Sequence, residues 1–70
     1  MNKLFRYNFN GEIYETSNAF DEVYYIKSKE IKASGKSMSR QVITGNEIIN
    51  EVYYNGVWLP DYIVAKSDKN

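Results

Sequence analysis

The groups that could do chemistry in this 70-residue chain are serines, lysines and carboxylates, because it has neither histidine nor cysteine. Ser17, Ser28, Ser34, Ser37, Ser39 and Ser67 have no imidazole to activate them, and no lysine is placed so as to single out one serine as a nucleophile. Glu12 with Glu15, or Glu47 with Glu51, has the spacing of a carboxylate pair. Without a nucleophile and its base, or a chain long enough to wall off water, these read as surface charges. Gly35-Lys36-Ser37 matches the end of a phosphate-binding P-loop, but that motif needs a glycine five residues earlier, and Glu30 stands there. Metal ligation would rest on carboxylates alone, and no EF-hand spacing is present. The expectation is a non-enzymatic protein with no cofactor and no metal site.

What remains is binding chemistry. Nine basic and nine acidic residues cancel, so the chain lacks the overall positive field of a general nucleic-acid coater. The charges are nevertheless segregated. Glu12, Glu15, Asp21 and Glu22 fall together without a basic neighbour, whereas Lys27, Lys29, Lys32, Lys36 and Arg40 face only Glu30 in their segment. Solvated faces and charge placement at helix ends account for such a pattern. The alternative is a local basic patch for phosphates or for an acidic partner. Tyr and Trp anchor many binding surfaces, and Tyr25, Tyr53 and Trp58 fall on faces opposite the expected core. They are either interface residues or covered by a second layer or a dimer mate, with the helix on the other sheet face. The candidate partner-binding set is therefore Tyr25, Tyr53, Trp58, Lys27, Lys29, Lys36 and Arg40.

The elements that would position these residues start from two Asn-Gly pairs, whose tolerance of positive φ suits type I′ hairpin turns. Around Asn10-Gly11, a two-residue loop pairs Phe9 with Glu12, Tyr7 with Tyr14 and Phe5 with Thr16 on an aromatic core face, and Arg6 with Glu15 on the other. Around Asn55-Gly56, Val52, Tyr54, Val57 and Leu59 share one face while Tyr53 and Trp58 pair on the opposite one. Between the hairpins, N-cap candidates at Thr16-Ser17-Asn18 and a stop at Gly35 predict a helix from about Ala19 to Ala33. Its apolar arc holds Ala19, Phe20, Val23, Tyr24, Ile26 and Ile31, with Lys27 and Glu30 intruding and Tyr25 pointing away.

A third strand is expected from Met38 through Ile43, then a tight turn at Gly45-Asn46. The adjacent Ile48 and Ile49 suggest a bulge near Asn50 or a short helical turn from Asn46. Pro60 makes the following Asp61 to Val64 segment an edge strand or a kinked continuation. The run from Gly56 to Val64 faintly resembles the last strand and turn of Src-homology type 3 barrels. Its proline-to-tyrosine spacing is one residue short, and the tandem tryptophans and acidic loop of that family are missing, so no family is read from it.

These elements give a small single α+β domain over residues 1–66, in the order ββαβββ, with a disordered tail at 67–70. A domain this size buries only about 60% of its unfolded surface. Disulfide and zinc staples are excluded, leaving an aromatic core or a homodimer to supply the rest. No stretch has the length and apolarity of a signal peptide or membrane span, so the expected setting is soluble, cytoplasmic and without membrane contact. Abundant Asn, Ile, Lys and Tyr with few Gly, Pro and Arg suggest a low-GC bacterium or its phage. The function expected is protein binding by a small regulator or inhibitor of the kind a phage or mobile element encodes. The alternative is nucleic-acid binding, in which sheet aromatics stack on bases and Lys27, Lys29, Lys36 and Arg40 neutralise phosphates.

Overall fold

In the computed structural model, which describes residues 3–62, both Asn-Gly pairs are hairpin turns. Asn10 (φ +56°) and Gly11 (+107°), like Asn55 (+55°) and Gly56 (+88°), take positive φ at both central positions, as a type I′ turn requires. The first turn joins β1 (Lys3–Phe9) to β2 (Glu12–Thr16) in the expected register, with Tyr7 opposite Tyr14 and Arg6 opposite Glu15. The second joins β4 (Glu47–Tyr54) to β5 (Val57–Pro60), with Tyr53 opposite Trp58.

Between β2 and β3 (Met38–Thr44) lies one helix, α1 (Glu22–Ser34). The five strands form one antiparallel sheet in the order β2-β1-β3-β4-β5. The expected α+β order ββαβββ is present. Pro60 closes β5 at a sheet edge, where its missing N–H costs no ladder bond. Asp61 and Tyr62 form a helical turn, and Ile63, Val64 and the expected tail lie outside the described residues.

Two details differ from expectation. The helix starts at Glu22, because Asp21 rather than Thr16, Ser17 or Asn18 is the N-cap, its carboxylate accepting from the Tyr24 N–H. Its buried stripe is also rotated. Ser28 is buried and Tyr24, Lys27 and Ile31 are half-buried, whereas Phe20, Val23 and Ile26, assigned to the apolar arc, are exposed. Ser28 occupies the buried position because a small side chain admits the helix closely to the sheet, with its hydroxyl satisfied by the Tyr25 carbonyl at 3.0 Å. The C-terminal stop is as expected. Gly35 (φ +75°) donates to Lys32 O and the next N–H, of Lys36, to Ile31 O, which is a Schellman closure.

The second difference is in β4, which shows neither bulge nor helical turn. Its pairing with β3 runs unbroken from Thr44 opposite Glu47 to Ser39 opposite Val52. Ile48 and Ile49 simply alternate faces, each more than two-fifths exposed. Because β3 buries Met38 and Val42 beneath the helix, the pleat places Tyr53 and, through β5, Trp58 on that same side. Both pack against the core of Phe5, Tyr7, Phe9, Met38 and Val42. The expectation that Tyr53 and Trp58 lie opposite the core is therefore corrected. A strand's face is fixed by its neighbour's register, and large aromatics gain more from burial than Val52 or Leu59.

The core is an aromatic stack. Tyr7, 1% exposed, lies 4.4 Å from Tyr24, 5.5 Å from Phe9 and 5.9 Å from Trp58 between ring centroids. The Trp58 indole N–H donates to the Tyr24 hydroxyl at 3.2 Å, tying β5 to the helix. Burial raises the Tyr7 phenol pKa above its ordinary value, although Arg40 opposes the shift.

Candidate functional site

The segment leading into the helix is held by a web of hydrogen bonds centred on Asp21. Its carboxylate accepts from the Tyr24 N–H at 3.0 Å, the Tyr14 hydroxyl at 3.0 Å and the Thr16 hydroxyl at 2.9 Å. Thr16 Oγ1 in turn accepts from the Asn18 N–H at 3.1 Å, and Asn18 Oδ1 from the Phe20 N–H at 2.9 Å. The Tyr24 backbone N–H, with the Thr16 and Tyr14 hydroxyls, holds the Asp21 carboxyl below its usual pKa. Burial, reinforced by the facing carboxylate, pushes the Tyr14 phenol up.

On this pinned segment Phe20 stands 90% exposed. It occupies the position before the N-cap, and Tyr25 the fourth helical position, the two places that pack together in a hydrophobic staple. With Phe20 so exposed the staple is open. Phe20 and Tyr25, with Ala19, Asp21, Glu22 and Tyr24, line a depression of about 350 Å³. Lys29 stands 4.8 Å from the Tyr25 ring centroid and donates to its hydroxyl at 3.3 Å. Val23 and Ile26, one turn apart and 41% and 56% exposed, form a separate apolar strip, since 3.6 residues per turn puts Val23 roughly 160° around the axis from Tyr25.

Of the residues singled out in the sequence, Tyr25 and Lys29 belong to this site. Tyr53 and Trp58 belong to the core. Lys27 pairs with Glu12 of β2 at 2.9 Å, and Lys36 lies exposed after the helix. Arg40 is drawn under the sheet aromatics, its guanidinium carbon 4.3 Å from the Trp58 ring centroid and 5.2 Å from that of Phe5, with Nε 2.7 Å from Glu51. The structure thus does not gather Lys27, Lys29, Lys36 and Arg40 into one patch. Phe20, the most exposed apolar residue of the site, was missed by sequence reasoning. Its signal was the staple spacing around Asp21, hidden by assigning the cap upstream.

A second surface is the sheet face away from the helix. Across it Glu15, Arg6, Gln41 and Asn50 form a hydrogen-bonded row, with Arg6 Nε donating to Glu15, Arg6 Nη1 to Gln41 Oε1 at 3.0 Å and Gln41 Nε2 to Asn50 Oδ1 at 3.1 Å. Leu4, Ile43 and Ile48 lie in register on one side of the row, and Asn8, Ile13, Ser39 and Val52 on the other.

Among the described residues no cluster of His, Cys, Asp or Glu could hold a metal ion, and no helix is long and apolar enough to cross a membrane. Comparison with protein-family models, curated proteins and solved structures found no match to this chain.

Proposed function

We propose that this chain is a non-enzymatic protein-binding module, acting as a small regulator or inhibitor, and that the open staple at the start of α1 is its anchor. The observation that carries the reading is the 90% exposure of Phe20 on a segment pinned at Thr16, Asn18 and Asp21. An aromatic ring displayed on a pre-ordered segment loses little conformational freedom on binding, the property of an interface anchor. The slot between Phe20 and Tyr25 suits an apolar or aromatic side chain from the partner. Glu22 and Lys29 at its rim orient the approach through their opposite charges.

The test begins with capture from a nuclease-treated bacterial lysate by wild type and Phe20→Ala in parallel, followed by titration of the protein identified. Phe20→Ala should weaken binding by about 2 kcal/mol or more, roughly 30-fold, chiefly through faster dissociation. An identified partner that binds Phe20→Ala and Tyr25→Ala as tightly as wild type would remove the anchor. Nuclease-sensitive capture, with submicromolar oligonucleotide binding and a steep salt slope, would favour nucleic acid instead.

A further inference from the structure

We propose that the second hairpin turn is a site of self-modification, where the Asn55 side chain loses its amide as ammonia to the Gly56 backbone nitrogen, while Asn8 protects the matching Asn10-Gly11 turn. The proposal does not rest on the open staple.

The two turns are close copies in sequence and backbone. Phe9-Asn10-Gly11 and Tyr54-Asn55-Gly56 each put an aromatic residue before the pair, and Asn10 (φ +56°) and Asn55 (φ +55°) share one conformation. Both pairs are exposed. They differ two residues before the asparagine. There the first hairpin has Asn8, whose Oδ1 accepts from the Gly11 N–H at 2.6 Å. The second has Tyr53, whose ring packs against Trp58 and the core and so offers the turn no acceptor. Among the described residues no partner holds the Gly56 N–H.

That N–H decides whether the turn can react. For the glycine nitrogen to reach the asparagine Cγ and close a five-membered ring, the asparagine ψ must leave the type I′ value of about +30° for about −120°. With φ near +60°, that is the first central residue of a type II′ turn, the other two-residue connection that hairpin strands accept. A flip of the Asn55-Gly56 peptide therefore converts one hairpin turn into the other. Asn55 already has the required φ, Tyr54 stays opposite Val57, and Gly56 accepts a negative φ as readily as a positive one. At the first turn the same flip must break the bond from Gly11 to Asn8.

In the flipped turn the Gly56 nitrogen gives its proton to hydroxide and attacks Asn55 Cγ. The new N–Cγ bond closes a succinimide, the Cγ–Nδ2 bond breaks, and Nδ2 takes a proton from water to leave as ammonia. Water then opens the ring. Cleavage of the N–Cγ bond gives aspartate, whereas cleavage between the nitrogen and the backbone carbonyl gives isoaspartate, with the main chain rerouted through Cγ. Aspartate before glycine still suits a type I′ turn. Isoaspartate lengthens the turn by a backbone carbon and loosens β5, which carries Trp58 to Tyr24.

Peptide mapping by mass spectrometry, on the full chain held at neutral to mildly alkaline pH, follows both turns in one molecule. Asn55 should convert roughly fivefold faster than Asn10, because a hydrogen bond of ordinary net strength must first break at Asn10. Asn8→Ala should bring Asn10 up to the Asn55 rate, and Asn55 in the same molecules reports any general loosening of the fold. In denaturant the two sites of wild type should convert at equal rates. Folded wild type converting Asn10 as fast as Asn55, an Asn8→Ala variant with Asn10 as slow as before, or a difference that persists in denaturant would each overturn the proposal. So would an Asn55 still intact in the folded chain when the denatured chain has converted fully.

Discussion

At the scale of single residues, Arg40 departs furthest from what its type suggests. It sits with Glu51 among Trp58, Phe5 and Tyr7, each partner's side chain 17% exposed. Removing one member leaves the other charged and poorly hydrated, so Glu51→Leu should destabilise by about 3 kcal/mol in denaturant unfolding. Arg40→Met/Glu51→Leu should recover much of that loss. A double variant no better than Glu51→Leu would show that the aromatic contacts, rather than the ion pair, need the cation. Asp21 carries a pH dependence of predictable sign. Its native carboxyl pKa is depressed, so its ionisation contributes stability that is complete above the unfolded value of about 3.9 and is lost as pH falls through the native one. Melting followed across the acid range should therefore show wild type losing its advantage over Asp21→Asn as acid is added. An advantage unchanged by acid would mean the cap does not depend on charge. Neither role could be read from the sequence, since Arg40 sits in a run of basic residues and Asp21 follows three other capping residues, Thr16, Ser17 and Asn18, to which the cap was assigned.

At the scale of elements, the hairpins were legible and the packing phases were not. Asn-Gly carries its own geometry, so turn type and cross-strand pairs in both hairpins followed from local sequence. Gly11 and Gly56 have no heavy atom within 4 Å of an added Cβ, so a substitution there meets only the backbone cost of positive φ. Gly11→Val and Gly56→Val should each lower stability by about 1–2 kcal/mol, measured by denaturant unfolding with native spectra retained. Unchanged midpoints would mean the turns rearrange without strain. In contrast, the faces of β4 and α1 depend on partners distant in the chain. Tyr53 turns inward because β3 sets its register. The helix rolls onto Tyr24, Ser28 and Ile31 because a small side chain fits where Tyr7 fills the space below. Hydrophobicity alone pointed to Phe20, Val23 and Ile26, which is why the exposed slot was concealed in the sequence.

At the scale of the whole molecule, one helix on one face gives a body of about 37 × 32 × 19 Å, thin along one axis. Element order and the α+β class were readable, but strand order was not, because nothing local states that β1 lies between β2 and β3. On the second sheet face Asp61 lines a depression with Arg6, Asn8, Ile13, Ser39, Gln41, Asn50 and Val52. If a mate covers it, the melting temperature should rise with protein concentration, because binding of the folded form alone stabilises it by mass action. Scanning calorimetry over a hundredfold concentration range checks this. A double variant, Ile13→Lys/Ile48→Lys, which charges two exposed positions of that face, should melt at one temperature throughout, and a wild type that does the same would argue for a folded monomer.

The place of β1 between β2 and β3 also bears on the order in which the fold assembles. Its ladder to β2 closes through a two-residue turn, but its other edge waits for β3, where Phe9 finds Met38 and Lys3 finds Thr44. Closing that second edge means ordering the whole helical connection first, a non-local step of the kind that sets folding speed. During synthesis the hairpin and helix therefore precede the strand that completes their sheet, and the row Phe5, Tyr7, Phe9 keeps one bare flank until Met38 to Thr44 has emerged. Over that interval the nascent chain presents its most aggregation-prone edge to its surroundings.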